Sequence, residues 1–196
     1  MSGNNRLHLA NTNKKTDARV RRTRDALGDA LIALMQEKPF DTITVQDVLD
    51  RAHVGRSTFY SHFSDKDDLL MSDADEFYER LAMGLSARGE NSDRVFPVKE
   101  FFSHIAEAKQ FVNALSSAGK MEEQLELARE HFARGIERRL AELPRGRSIP
   151  PADRAAVAFA HAGALLSLLR WWSDRGMKQS PAEMDALFHR VVWGTQ

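Results

Sequence analysis

Apolar residues at Val20, Leu27, Leu31, Leu34 and Met35 are spaced 7, 4, 3 and 1 apart, which sets them on one face of a helix. Pro39 denies the helical region to its predecessor and predicts the end of that helix. Thr44 followed by Asp47 reads as an N-cap and its partner, opening a short helix that buries Val45, Val48 and Leu49. A turn at His53-Val54-Gly55 leads to a second short helix, Arg56 to Phe63. Ser64, with Asp67 three residues on, predicts a further start, leading into Leu69, Leu70, Phe77 and Leu81. The polar stretch Arg88 to Arg94 reads as a connector.

Longer helices are expected over Pro97 to Ser117, Lys120 to Leu143, Ala152 to Arg175 and Pro181 to Trp193. They are separated by Gly119, by Pro144 through Pro151, and by Gly176. Ser180-Pro181-Ala182-Glu183 combines an N-cap serine, a proline at the first position and an acid at the third. Alternating strands and internal repeats are not evident. The pattern predicts an all-α chain of about nine helices.

Composition narrows the classes. The 196 residues contain no cysteine, which excludes disulfides, thiolate metal sites and a cysteine nucleophile, and fits a reducing cytoplasm. With 42% hydrophobic and 29% charged residues the chain reads as an ordinary globular protein. The longest uncharged apolar run, Ala155 to Leu169, is fifteen residues, short of the ~20 that span a bilayer. No membrane partner is expected, and the polar Met1 to Asn13 is not a signal peptide.

Lys plus Arg (28) equals Asp plus Glu (28), yet the charge is uneven. Met1 to Arg24 carries +6 and Asp67 to Glu79 carries −6. A neutral total therefore conceals a basic arm of the kind that contacts nucleic acid, or simply a solvated face.

A helix of about ten residues, a turn of about four and a second short helix have the spacing of a helix-turn-helix. Gly55 can cap the second helix with little loss. Val48, Leu49, Ala52, Val54, Phe59 and Phe63 would share a small core with the first helix. That turns Arg56, Ser57, Thr58, Tyr60, Ser61 and His62 outward, with no acid among them. Arginine can grip guanine, hydroxyls reach phosphates or base edges, and nothing there repels a DNA backbone. An ordinary helical hairpin with a polar surface would share the pattern.

The run from Phe40 through Lys66 resembles the TetR family of transcriptional regulators, with Thr58, Phe59, Tyr60, His62, Phe63, Lys66 and Leu69 at the family's spacing. The resemblance covers about residues 17 to 70. One departure is the turn, His53-Val54-Gly55 where the family has Gly-Val-Ser, so that His53 needs a left-handed backbone. The resemblance implies a basic, flexible arm at 1–16, a three-helix DNA-binding domain at 17–63, and a larger helical ligand-binding and dimerisation bundle at 64–196. It places Arg56, Ser57, Tyr60 and Ser61 toward bases, and Thr44, Thr58, Tyr60, His62 and Lys66 toward phosphates. Lys66 lies among Asp65, Asp67 and Asp68, and a local ion pair is its alternative; for Tyr60 it is core packing. The arm residues Arg19, Arg21 and Arg22 could follow phosphate or the minor groove.

The resemblance further implies a homodimeric repressor of double-stranded DNA with a near-palindromic operator, released by a small apolar or aromatic ligand. Phe159, Gly163, Leu166, Met184, Leu187, Phe188 and Val191 are the expected dimer interface, with Ala156, Ala160 and Ala164 allowing close approach, and a purely intrachain core is the alternative. Phe101, Phe102, His104, Phe111, Met121 and Phe132 are either plain core or the lining of a ligand pocket, with Gln110 and His131 as further polar contacts. The other reading is a protein–protein adaptor that keeps the helix-turn-helix as scaffold.

An enzyme is not expected. No two of the seven histidines lie three or four apart, and there is no Glu-x-x-His pair, phosphate-cradling glycine loop or Gly-x-Ser-x-Gly elbow. No metal or cofactor is expected.

Overall fold

A computed structural model describes the backbone over residues 4–194 and the side chains from Arg19 onward. The expected arm at 1–16 therefore lies outside the residues whose side chains are described. Among the described residues there are nine α-helices and no strand. In order they are α1 (Asn4–Glu37), α2 (Val45–Ala52), α3 (Arg56–Tyr60), α4 (Lys66–Ala87), α5 (Val98–Glu107), α6 (Lys109–Ser117), α7 (Met121–Glu142), α8 (Pro151–Asp174) and α9 (Pro181–Trp193). Short 3-10 turns lie at Phe40–Thr42 and Gly146–Ser148.

The chain divides into two compact units, Met1–Asp73 and Ala74–Gln196, with the division falling inside α4. In the first, Leu27, Leu31, Leu34 and Met35 of α1 are buried with Phe40, Ile43, Val48, Leu49, Phe59, Phe63, Leu69 and Leu70. The expected caps form. Thr44 Oγ1 accepts from the Asp47 N–H, and the Asp47 carboxylate accepts from the Thr44 N–H. Ser180 and Glu183 repeat the arrangement at α9. Before α4 the pair is shifted one residue from the expected Ser64 and Asp67. Asp65 accepts from the Asp68 N–H while Asp68 accepts from the Ser64 N–H.

The second unit is built on aromatic packing. Phe96, Phe101, Phe102, Phe132 and Trp172 are fully buried, with Phe132 4.4 Å from Phe96 and 5.0 Å from Phe101, ring centre to ring centre. α7 approaches α4 closely because residue 135 is glycine: a Cβ there would lie 2.7 Å from the Ala82 carbonyl oxygen. The expected helix over Pro97 to Ser117 is two helices, broken at Ala108 (φ −88°, ψ 20°). No Pro or Gly marks that break, so the sequence carried no local signal for it.

α8, at 24 residues, is by length and composition alone long and apolar enough to cross a membrane, although its uncharged run is shorter. It packs instead as a core helix along one side, with Ala158, Ala162, Leu165, Leu166 and Trp172 buried. Ala155, Ala156, Phe159 and Ala160 are exposed, so the chain covers this apolar helix on one side only.

Candidate nucleic-acid interface

The turn that sets α2 against α3 is made by His53, whose backbone is left-handed (φ 54°, ψ 40°). Its N–H and that of Val54 both reach back to the Leu49 carbonyl. Gly55 then caps α3 in an extended conformation, without a side-chain cap. α3 itself covers Arg56–Tyr60, shorter than the expected Arg56 to Phe63. Backbone bonds from Ser61 to Ser57 and from Phe63 to Phe59 continue the turn beyond it. Phe59 is fully buried and anchors the helix. Around it Arg56, Ser57, Thr58, Tyr60 and Ser61 are exposed, and His62 is half-buried beside Phe63.

Tyr60 is 51% exposed, its ring edge-on to Phe59 at 5.3 Å, so the core-packing alternative does not hold. Ser61 Oγ donates to the Thr58 carbonyl. Arg56 donates to Gln46 Oε1 at 2.8 Å, and Gln46 in turn donates to Asp50. Gln46 was missed by sequence reasoning. It is exposed on α2 and lies ten residues from Arg56, so only the crossing of the two helices brings them together. Arg19, Arg21 and Arg22 are exposed along α1.

Lys66 bonds to backbone carbonyls rather than to the neighbouring carboxylates of its alternative reading. Its ammonium donates to the Phe40 carbonyl at 2.7 Å and the Ile43 carbonyl at 2.8 Å, and lies 4.4 Å from the Phe40 ring centre. It fastens the start of α4 to the segment leading into α2. Thr44 is exposed at the α2 N-terminus. There Lys38 bonds to Asp47 at 2.9 Å, and that bond, with those from Thr44, holds the Asp47 carboxyl well below the usual carboxylate range. Arg51 forms a paired ion bridge to Glu37 of α1, at 3.0 and 2.7 Å. The arrangement is a charged, braced frame presenting an acid-free helix face.

The other expected sites lie in the second unit. Phe101, Phe102 and Phe132 are fully buried core, Phe111 and Met121 are half-buried, and His104 and Gln110 are exposed. His104 stacks on Phe77 at 4.4 Å, and partial desolvation of its ring pushes its pKa down. His131 is buried; with its Nδ1 facing Arg134, its Nε2 donates to Asp75 at 2.8 Å. Of the expected dimer residues, Phe159 (53%) and Val191 (54%) are exposed, and Gly163 and Leu187 are half-buried. Leu166, Met184 and Phe188 belong to the chain's own core and cannot also be surface, which corrects that part of the expected interface.

Two family profiles match the chain. The bacterial regulatory proteins of the tetR family match residues 27–72, and a transcriptional regulator C-terminal region matches 98–194. A curated relative, the uncharacterized HTH-type transcriptional regulator YxbF of Bacillus subtilis (strain 168), is 38% identical over 60 residues. That stretch is 30% of this chain and 16% of YxbF, so the match spans about a sixth of that relative's length. Among solved structures, a TetR transcriptional regulator from Streptococcus agalactiae 2603V superposes with a TM-score of 0.60 at 22% identity, covering 91% of this chain and 98% of that one. The fatty acid degradation regulator FadR from Bacillus halodurans gives 0.61 at 15% identity, covering 88% and 98%.

Proposed function

We propose that this chain, which belongs to the TetR family of bacterial regulatory proteins, binds DNA in a sequence-specific manner as a homodimeric repressor and is released from its operator by a small ligand. The observation that carries the reading is the face of α3. Its four exposed positions and the Ser61 cap offer one guanidinium, three aliphatic hydroxyls and one phenol, and no carboxylate. Such a face suits the major groove, where arginine pairs with guanine and hydroxyls reach phosphates. Arg56, Ser57, Tyr60 and Ser61 are assigned to base edges. Thr44, Thr58 and His62 are assigned to phosphates, Thr44 through its hydroxyl at a helix N-terminus. Lys66 can join them through the third donor of its ammonium, the other two being held by the Phe40 and Ile43 carbonyls.

The uncovered side of α8 supports the dimer. Ala156, Ala160 and Gly163 leave room for another helix, a Cβ at 163 meeting nothing within 4 Å, and Phe159 and Val191 are apolar and exposed. A two-fold dimer sets its recognition helices about one DNA turn, ~34 Å, apart or a little more. Acting on a bacterial chromosome, the protein works in the cytoplasm.

Selection of bound duplexes from a random DNA pool tests this. The expected product is a near-palindromic motif that Tyr60→Ala loses while keeping its fold. A pool that enriches no sequence, or one that Tyr60→Ala enriches equally, contradicts the assignment. Lys66→Ala is unsuitable for this purpose, because its loss would be felt in folding first.

A further inference from the structure

We infer that the groove between α4 and α5 binds a small organic carboxylate with a flat apolar body. This rests on the reading of the chain as a ligand-responsive regulator, and moves the ligand site away from the aromatic core. The groove has a volume of about 200 Å³ and is lined by Phe77, Arg80, Leu81, Gly84, Arg88, Pro97 and Glu100.

Helix geometry places it. α7 packs on the line of α4 that holds Tyr78, Ala82 and Ser86, through contacts to Phe132, Gly135 and Glu142. Arg80, Gly84 and Arg88 form a second line two residues, about 200°, round the helix. The groove therefore opens on the side of α4 away from α7. Gly84 forms its floor: a Cβ there would meet only Pro97 Cγ, at 3.8 Å, so any longer side chain would fill the space. Phe77, with His104 stacked on it, supplies a flat aromatic wall.

Charge selects an anion. The one lining carboxylate, Glu100, is engaged by Arg94, which also bonds Asp185 of α9 at 2.9 Å. Among the described residues Arg88 has no carboxylate partner, and Arg80 stands 3.6 Å from Glu76 on its own helix. A carboxylate reaching Arg88 meets a guanidinium whose charge nothing else in the groove cancels, and paired geometry favours that group. The apolar remainder of the ligand covers Leu81, Gly84 and Pro97. Desolvation pushes the His104 pKa down, which disfavours a positive charge on the wall beside it.

The probe is sodium benzoate, with benzamide as its uncharged match, titrated into the full-length protein while amide and arginine side-chain NMR signals are followed. The expected result is a saturable shift centred on Gly84 and Arg88 that benzamide does not reproduce. Arg88→Gln weakens binding about tenfold, and Gly84→Leu, which leaves the helix intact, abolishes it. Equal binding of benzamide, shifts centred on Phe101 and Phe132, or no saturable shift overturns the proposal. DNA affinity is measured on the same preparations. Intact DNA binding without a benzoate site fails this inference alone. A benzoate site on a protein that binds no DNA fails the regulator reading and leaves the groove standing.

Discussion

His53 carries the tightest local constraint in the first unit, because a residue with a Cβ occupies a left-handed backbone there (φ 54°). That conformation costs an L-residue roughly 1–2 kcal/mol. Replacing His53 with glycine is expected to stabilise the unit by about 1 kcal/mol, read as a higher urea midpoint with unchanged m value. A lower midpoint would show that the imidazole makes a contact worth more than the strain. The need for this backbone was legible from the glycine that the resembled family has at this position. The capping box was legible too, since Thr44 and Asp47 are three apart. Lys38, the third partner of Asp47, was not, because nothing in its spacing points across the intervening 3-10 turn. The Asp47 pKa is depressed in the fold, first by Lys38 and then by Thr44. Its contribution is therefore present above the ordinary carboxylate range, about pH 4, and is lost as pH falls through the depressed value. Asp47→Asn should lower the urea midpoint at neutral pH, with the difference from wild type shrinking toward strong acid. A difference that does not change with pH would refute the link.

Between elements, the closest approach is α7 on α4 at Gly135. An alanine there must displace the Ala82 backbone, and overpacking of this kind costs about 1–3 kcal/mol. Gly135→Ala is expected to lower the thermal midpoint, whereas Gly163→Ala on the open side of α8 leaves the isolated fold unperturbed. Equal midpoints for Gly135→Ala and wild type would contradict the packing. The connector between α4 and α5 is held by buried Arg139, which donates to the carbonyls of Glu90, Ser92 and Arg94. Arg139→Met leaves those carbonyls without their donor and should destabilise the second unit by about 3 kcal/mol, seen by denaturant melting. None of this was visible in the sequence: a connector was evident from its polar residues, but the arginine that fastens it lies some 45 residues away. The faces of α8 failed for a related reason. A helix apolar all round has no periodicity to say which side meets its own chain. Leu166 was thus expected at the dimer interface beside Phe159, although it is buried in the chain's own core and Phe159 is exposed. Met184 and Phe188 were misplaced likewise, on a helix whose apolar stripe faces its own core.

At the scale of the molecule, the all-helical class and the outward face of α3 were legible because both depend on short-range periodicity. The separation of core aromatics from groove was not, since Phe101 and Phe77 read alike until packing buries one and leaves the other against open space. The central claim concerns the acid-free face of α3 and the exposed basic residues of α1, and it predicts an interaction dominated by phosphate neutralisation. The most direct measurement is the equilibrium affinity of the full-length protein for its selected duplex as salt is raised. With ~6 to 10 phosphate contacts in the complex, affinity is expected to fall about 10³–10⁵-fold between ~50 and ~200 mM salt. An affinity that changes less than about tenfold over that range would contradict the account and leave the helix-turn-helix as a scaffold for some other partner.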